Sequence, residues 1–227
     1  MRRYLVPLIF GLGGFAILVS LGLWQLRRLE WKEARLAEID TRIMAAPQPI
    51  GAIDRNLPPD DLRYAPVTMT GRTTGQEVLV LTSVEGQGPG YRVIAGFVTD
   101  TGQRVMLDRG FIADAASAAP RPPVALTVTG NLHWPDETDS YTPPPDPVTG
   151  IWFARDVPKL ALDLATQDLL VIASGIDGDT QGITALPLTS AAVRNNHQQY
   201  AITWFLLAFG WLGMTAFLLW RIRQQRI

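Results

Sequence analysis

The sequence predicts an α+β membrane protein, in which two transmembrane helices flank an exported domain: an antiparallel β-sheet or partly closed barrel with a short helix. Three observations predict this architecture. Uncharged apolar runs lie near both ends, at 5–23 and 200–220. Short runs rich in β-branched residues alternate with turns between them, which is typical of antiparallel strands. All 21 acidic residues lie in that central region, which therefore differs sharply from its flanks.

Each terminal run is long enough to cross a bilayer, since the runs hold 19 and 21 residues and about 20 apolar residues suffice. Tyr4 and Trp24 are 20 positions apart, as are Tyr200 and Trp220. At ~1.5 Å rise per residue each pair spans roughly 30 Å, the thickness of the hydrocarbon core. The alternative, that these are buried core helices, does not explain this aromatic placement.

A cleaved signal peptide is a second interpretation of residues 1–22. Arg2 and Arg3 supply a basic start, and Ser20 and Gly22 fit the small-residue cleavage rule. However, the apolar run is longer than a usual signal core, and a charged helix-like segment follows it without a break. We therefore expect an uncleaved span. No transit peptide precedes it, which favours the bacterial inner (plasma) membrane over an imported organellar precursor.

The charges indicate an orientation. Of the 20 Lys and Arg, 15 lie between the spans with all 21 acids, so this region carries −6. The positive-inside rule is clear at the second span, where three arginines follow it and only Arg194 directly precedes it. It is not clear at the first span. Weighting the second, we expect cytoplasmic segments at 1–4 and 221–227 and a periplasmic domain at 45–199.

Several function classes are disfavoured. The chain has no cysteine, which removes disulfides and CxxC chemistry. A net charge of −1 with an acidic centre argues against nucleic-acid binding. A hydrolase would need a nucleophile with a base, or paired carboxylates; His133 is the domain's only histidine and lacks such neighbours. Seven residues after Trp220 leave no room for a sensor's output domain. We do not expect an enzyme.

The elements follow in order. Residues 24–44 continue the first helix at the membrane interface, with Trp24 and Trp31 on one face. We interpret this segment as a helix that lies at the membrane interface. The more specific alternative is that it also recognises an anionic group. Residues 45–62 are interpreted as a linker.

Strands are predicted at 66–72, 76–84, 91–99, 103–112, 124–132 and 168–174, with a hairpin at 100–102. Five prolines make 133–150 irregular, and 156–165 is a helix capped by Asp156.

If the protein binds a metal or a haem, His197 is the first candidate ligand, since neutral imidazole binds both kinds of centre. A stripe of Tyr200, Trp204 and Trp211 follows it at offsets of 3, 7 and 14. Trp211 lies about 21 Å below it, too deep for the interfacial belt, and we expect it to pack against the other helix. The alternative for His197 is an interfacial polar group without a ligand.

Four segments then resemble, in order, the Surfeit locus cytochrome c oxidase assembly proteins over nearly the whole chain. They are GLWQLRRLEWK at 22–32, GPGYRVIAGFVTDTGQRVMLDRGFI at 88–112, IWFARDVPKLA at 151–161 and NNHQQYAITWFLLA at 195–208. Asp108 stands where the family usually has Asn, and Phe111 where it usually has Trp.

The resemblance implies an assembly factor for haem a-containing cytochrome c oxidase, which binds haem a transiently and assists its insertion or stabilisation. The implied partners are cytochrome c oxidase subunit I and, as a further candidate, haem a synthase. His197 matches the family's haem-linked histidine and would be the axial ligand. The residues expected around the macrocycle and its propionates are Tyr200, Trp204, Trp24, Arg27 and Arg28. The alternative is a membrane-anchored scaffold that binds an oxidase subunit without haem.

Two other residues carry expectations from their own surroundings. His133 precedes Trp134 and Pro135, and we expect it in a surface loop. Arg109 follows Asp108, and we expect a structural, buried ion pair, with a partner contact as the alternative.

Overall fold

The computed structural model describes residues 2–190 and 195–224, with side chains from residue 4 onward. Arg194, the first residue of segment 1–4 and the end of segment 221–227 therefore lie outside the described residues. The chain divides into two compact units, Met1–Glu38 with Ser190–Ile227 and Ile39–Thr189.

The first unit is formed by two long helices, α1 (Arg2–Ile43), whose residues 39–43 belong to the second unit, and α4 (His197–Gln224). Both are long and apolar enough to cross a membrane, with windows of mean hydropathy 2.2 and 1.9. Most of their large apolar side chains are exposed, which suits contact with lipid. Helix α1 runs unbroken through the predicted span 5–23 and the predicted extension 24–44. Where the lipid boundary falls along it remains a prediction.

The two helices pack antiparallel through small residues. The close pairs are Gly11 with Thr215, Gly14 with Trp211 and Gly22 with Phe205. A Cβ added at Gly11 or Gly14 would lie 2.1 or 2.4 Å from its partner side chain. Ala201 and Ala208 are buried on the facing side of α4. In a membrane the hydrophobic effect does not drive helices together. Small residues of this kind let the helix backbones approach closely, so that van der Waals packing stabilises the pair.

The second unit is a β-barrel with short helices. Its strands are β1 (Gln48–Pro49), β2 (Pro66–Val84), β3 (Gly88–Thr99), β4 (Arg104–Ala113), β5 (Ala125–Leu132) and β6 (Leu170–Gly178). Its helices are α2 (Pro59–Leu62) and α3 (Val157–Asp163), with 3₁₀ turns at Ile50–Ala52 and Asp114–Ala116.

The strand order is β1-β2-β3-β4-β6-β5, and β5 pairs back onto β2, so that five strands close a ring. The predicted barrel is thus confirmed. Not all pairs are antiparallel, however: β4 and β6 run parallel, as do β1 and β2. A closed ring with an odd number of strands cannot alternate direction throughout, so at least one parallel pair is required.

The predicted strands 66–72 and 76–84 form one strand, β2, whose register with β3 shifts between Thr73 and Glu77. Its first half pairs with β5 and its second half with β3, so the strand bends around the barrel. Gly71 permits the bend, because a Cβ there would lie 2.1 Å from the Val98 carbonyl oxygen. The hairpin between β3 and β4 is confirmed.

The interpretation of 45–62 as a linker is wrong. Ile50, Ile53 and Leu62 are buried in the main core with Val67 and Phe97. Three apolar side chains within a segment rich in turn residues were enough to fold it onto the barrel. The predicted helix is confirmed in shorter form, and the Asp156 side chain accepts a hydrogen bond from the Lys159 backbone N–H at 3.3 Å. Residues 133–150 contain no helix or strand.

Candidate functional site

His197, the first residue of α4, is held by a side chain from α1. Its Nδ1 atom lies 2.8 Å from Oε1 of Gln25. Gln25 is buried, with 9% of its surface exposed, whereas His197 is partly exposed. The hydrogen bond joins residues 172 positions apart, so it exists only because the helices run antiparallel.

The second ring nitrogen is chemically available. Within residues 2–190 and 195–224, no hydrogen bond reaches His197 Nε2. An imidazole with one nitrogen bonded to an acceptor and the other free is the arrangement usual for metal-bound histidine. The His197 side chain therefore fits a haem group, whose iron it would hold through Nε2.

Most of the predicted cofactor-binding residues share one side of the helix pair. At about 100° per residue, Trp24 and Arg28 lie to one side of Gln25 around α1. Tyr200 and Trp204 lie to the corresponding side of Ala201 around α4. In antiparallel helices these two sides coincide, so the four side chains border the same flank. They are exposed there, apart from the partly buried Trp204.

Arg27 is different from Arg28. Two residues beyond Gln25, it lies at about 160° from the seam and faces away from α4. Arg28 instead stacks on an aromatic ring, with its guanidinium carbon 4.1 Å from the centroid of Trp31. This cation–π contact restrains the cation. The structure therefore brings Arg28, but not Arg27, toward the flank that carries Tyr200 and Trp204.

Trp211 packs against α1, as predicted. Its indole N–H donates to the carbonyl oxygen of Gly11 at 3.0 Å, and its ring lies against Gly14. Its role is therefore to join the helices.

A buried ionic cluster organises the barrel unit. Asp108 on β4 is fully buried, and its Oδ2 accepts from Arg92 at 2.8 Å and from Arg155 at 3.2 Å. Its Oδ1 accepts from the Gly110 N–H at 3.1 Å. Arg155 also binds Glu137 through its guanidinium and its backbone N–H. Two segments of the resemblance, 88–112 and 151–161, thus meet at Asp108.

The hydrogen bonds and opposite charges within this cluster shift the pKa values of Glu137 and Arg155. Burial works to raise the pKa of Glu137, but the hydrogen bonds and charge of Arg155 outweigh it and hold the pKa below its usual value. Burial acts to lower the pKa of Arg155. The hydrogen bonds and negative charges of Glu137 and Asp108 outweigh this effect, so the pKa of Arg155 is raised. Both groups stay charged at neutral pH, as a structural cluster requires.

Arg109 is buried and structural, as expected, but among the described residues it makes hydrogen bonds and not the expected ion pair. Arg109 is 1% exposed, and its guanidinium donates to the Gln181 side chain at 2.8 Å and to the carbonyl oxygens of Asp179 and Thr180. Its neighbour Asp108 is engaged with Arg92 and Arg155, and Arg109 itself lies where the register between β3 and β4 shifts. Arg109 therefore fastens the 179–181 turn onto β4.

His133 begins the irregular segment 133–150, as expected, but it is half-buried and not on the surface. It directly follows β5, its backbone N–H donates to the Leu170 carbonyl, and its ring lies 5.5 Å from that of Tyr64. Its Nδ1 is buried and has no hydrogen-bond partner among the described residues. Burial, followed by the positive charges of Arg155 and Arg63, lowers the pKa of His133 to about 4.

Gln25 is the residue of the helix pair that sequence reasoning missed. One signal could have found it: it continues the face of small residues Gly11, Gly14 and Gly22 at helical spacing. Within the described residues, no group of three or more His, Asp or Glu side chains could hold a metal ion. His197 therefore remains the candidate ligand on the described part of the chain.

The protein therefore consists of a closed β-barrel and two helices that are apolar enough to cross a membrane. Comparison with known families agrees with this architecture: the SURF1 family model matches residues 12–209. The chain is 30% identical over 211 residues to a SURF1-like protein of Rickettsia felis, covering 86% of this chain and 88% of that protein. It is 30% identical over 210 residues to the SURF1-like protein of Rickettsia bellii, covering 86% and 83%. It is 26% identical over 214 residues to Surfeit locus protein 1 of Rattus norvegicus, covering 82% and 67%. The chain belongs to the SURF1 family.

Proposed function

We propose that this protein is a membrane-anchored assembly factor for haem a-containing cytochrome c oxidase. It binds haem a through His197 and assists haem insertion into, or stabilisation in, oxidase subunit I. Haem a synthase is a further candidate partner, as the source of the cofactor. The protein itself carries out no turnover in this role.

The observation that carries the proposal is the state of the His197 ring. Its Nδ1 is bonded to Gln25, and its Nε2 is free of hydrogen bonds within the described residues. Imidazole is a frequent axial ligand of haem, and bound haem would supply an iron centre for Nε2 and propionates for a cation. Arg28 is the cation best placed for a propionate, because it borders the flank of Tyr200 and Trp204.

Family membership supports the oxidase assembly role, since the motifs that carry the resemblance include the one around His197. The compartment belongs to the proposal as well. We place the β-barrel unit on the periplasmic side of a bacterial inner membrane, because three arginines follow the second apolar run.

The test is to express the full chain with the haem a biosynthetic pathway and to measure bound haem by absorption spectroscopy. We expect co-purified haem a in the wild type and a loss of at least tenfold in His197→Ala. Gln198→Ala, which alters the exposed neighbouring side chain, should retain haem. Equal haem content in His197→Ala would contradict the ligand assignment.

A scaffold that binds an oxidase subunit without haem is the second candidate. The structural observation that favours it is the irregular segment, where Tyr141 and Val148 are about nine-tenths exposed. Asp139 and Asp146 stabilise the turns that present them. A gene deletion tests the assembly role shared by both candidates. Loss of haem a-type oxidase activity with other respiratory complexes intact would support it, and normal oxidase activity would contradict it.

A further inference from the structure

Gln25 is a polar side chain in a place where an apolar one would be expected. It is almost fully buried at the seam between α1 and α4. A buried carboxamide is unfavourable unless its polar atoms are hydrogen-bonded. Its Oε1 has that partner in His197 Nδ1, at 2.8 Å.

The chemistry of this bond decides which nitrogen of His197 is available. A carboxamide oxygen only accepts hydrogen bonds, so the nitrogen facing it must carry the proton. Neutral imidazole carries one proton, and the lone pair is then on Nε2. A second-sphere acceptor on one ring nitrogen fixes both the tautomer and the ring orientation of a metal-ligating histidine.

We propose that Gln25 is a positioning residue, which holds His197 as the Nδ1–H tautomer and presents Nε2 as the atom that binds haem iron. This inference rests on the proposed haem-binding function. Gln25 itself does not touch the iron.

The helix packing makes this positioning rigid. Three residues before Gln25, Gly22 lies against Phe205, and a Cβ at Gly22 would be 2.7 Å from that ring. Deeper in the pair, Trp211 donates to the Gly11 carbonyl. The position of Gln25 relative to His197 is therefore set by contacts along the whole seam, and the two residues meet only when the helices are correctly packed.

The first test needs no haem. The full chain is labelled with ¹⁵N-histidine, reconstituted in lipid nanodiscs and studied by NMR above pH 8. The chain has only two histidines, so a His133→Gln background leaves the His197 signals alone. We expect the proton on Nδ1 in the wild type and in Gln25→Glu, which keeps an acceptor. In Gln25→Leu we expect a mixture of tautomers. A proton on Nε2 in the wild type would overturn the inference.

The second test measures haem a affinity of the same proteins by titration. Second-sphere substitutions typically weaken metal binding by about 10–100-fold, and we expect that loss in Gln25→Leu. Gln25→Glu should restore affinity to within a few-fold of wild type. Gln198→Leu is the matched control, because it removes an exposed carboxamide beside His197 and should bind as the wild type does.

The outcomes separate the inference from the proposed function. If His197→Ala loses haem and Gln25→Leu does not, the role of Gln25 is overturned while the ligand role of His197 stands. If His197→Ala binds haem as tightly as the wild type, both fall. A weakening shared by Gln25→Leu and Gln198→Leu, with unchanged tautomers, would also overturn the inference.

Discussion

The indole N–H of Trp211 donates to the backbone carbonyl oxygen of Gly11, with 3.0 Å between the nitrogen and the oxygen. The same ring lies where a side chain at position 14 would project. The helix pair is therefore held by a hydrogen bond and by a close approach that only glycine allows.

We expect Gly14→Ala to destabilise the helix pair and Gly13→Ala not to. A Cβ at position 14 would lie 2.4 Å from the indole nitrogen of Trp211, whereas nothing lies within 4 Å of a Cβ at position 13. Such overpacking costs typically about 1–3 kcal/mol. Both changes gain the same helix propensity, so the difference isolates the contact. Thermal unfolding of the full chain in detergent measures it, and equal melting temperatures would contradict this packing.

Asp108→Ala should strongly destabilise the barrel unit. It removes the carboxylate between Arg92 and Arg155, and breaking a buried ion pair typically costs about 3–5 kcal/mol. Asp60→Ala is the control, since Asp60 pairs with Arg63 but is 86% exposed. Exposed pairs contribute at most about 1 kcal/mol. Urea unfolding of both variants measures the contrast, which should disappear if the Asp108 cluster contributes little.

His133 should make the protein less stable as the pH falls from 6.5 to 4. Its pKa is about 4 in the folded protein and ordinarily 6.5, so within this window the unfolded chain binds a proton that the folded chain does not. The free energy of unfolding of the wild type should fall by roughly 2–3 kcal/mol relative to His133→Gln. Unfolding at several pH values tests this.

The comparison with His133→Gln controls for the other groups that titrate in this window. The pKa of Glu137 is held below its usual value by Arg155, so its contribution to stability begins to be lost near the lower end of the window, but this loss occurs in both proteins. Parallel pH profiles for wild type and His133→Gln between pH 6.5 and 4 would show that His133 titrates normally in the folded state.

Arg28→Ala should weaken haem a binding more than Arg27→Ala. Arg28 borders the flank of Tyr200 and Trp204 and is restrained by Trp31, whereas Arg27 faces away from α4. A charge-assisted hydrogen bond contributes about 1.5–3 kcal/mol, so we expect roughly a tenfold or greater loss of affinity for Arg28→Ala. Titration with haem a measures it. Equal losses in the two variants would favour general attraction by positive charge.

Much of the fold could be predicted because it depends on local patterns. The two apolar runs, the β-branched strands and the Asp156 cap each depend on residues close together in the sequence, and each is present in the structure.

The packing of 45–62 onto the barrel was missed because turn residues outnumber Ile50, Ile53 and Leu62 in this segment. The burial of these three side chains depends on a core formed by other parts of the chain. The burial of His133 was missed for the same reason: its proline neighbours indicate an exposed loop, but its backbone N–H is hydrogen-bonded to Leu170 of β6 and its ring lies beside Tyr64.

The two apolar helices, the β-rich centre and the choice of His197 as candidate ligand follow from patterns within short stretches of the chain. The partners of the buried polar side chains depend on how distant stretches pack together. Gln25 reaches His197 across 172 positions, and Asp108 reaches Arg155 across 47. The closure of the barrel also requires that an odd ring of strands includes a parallel pair. Periodicity shows which face of a helix or strand is apolar, but the contact made by a polar group on that face depends on which distant segment folds against it.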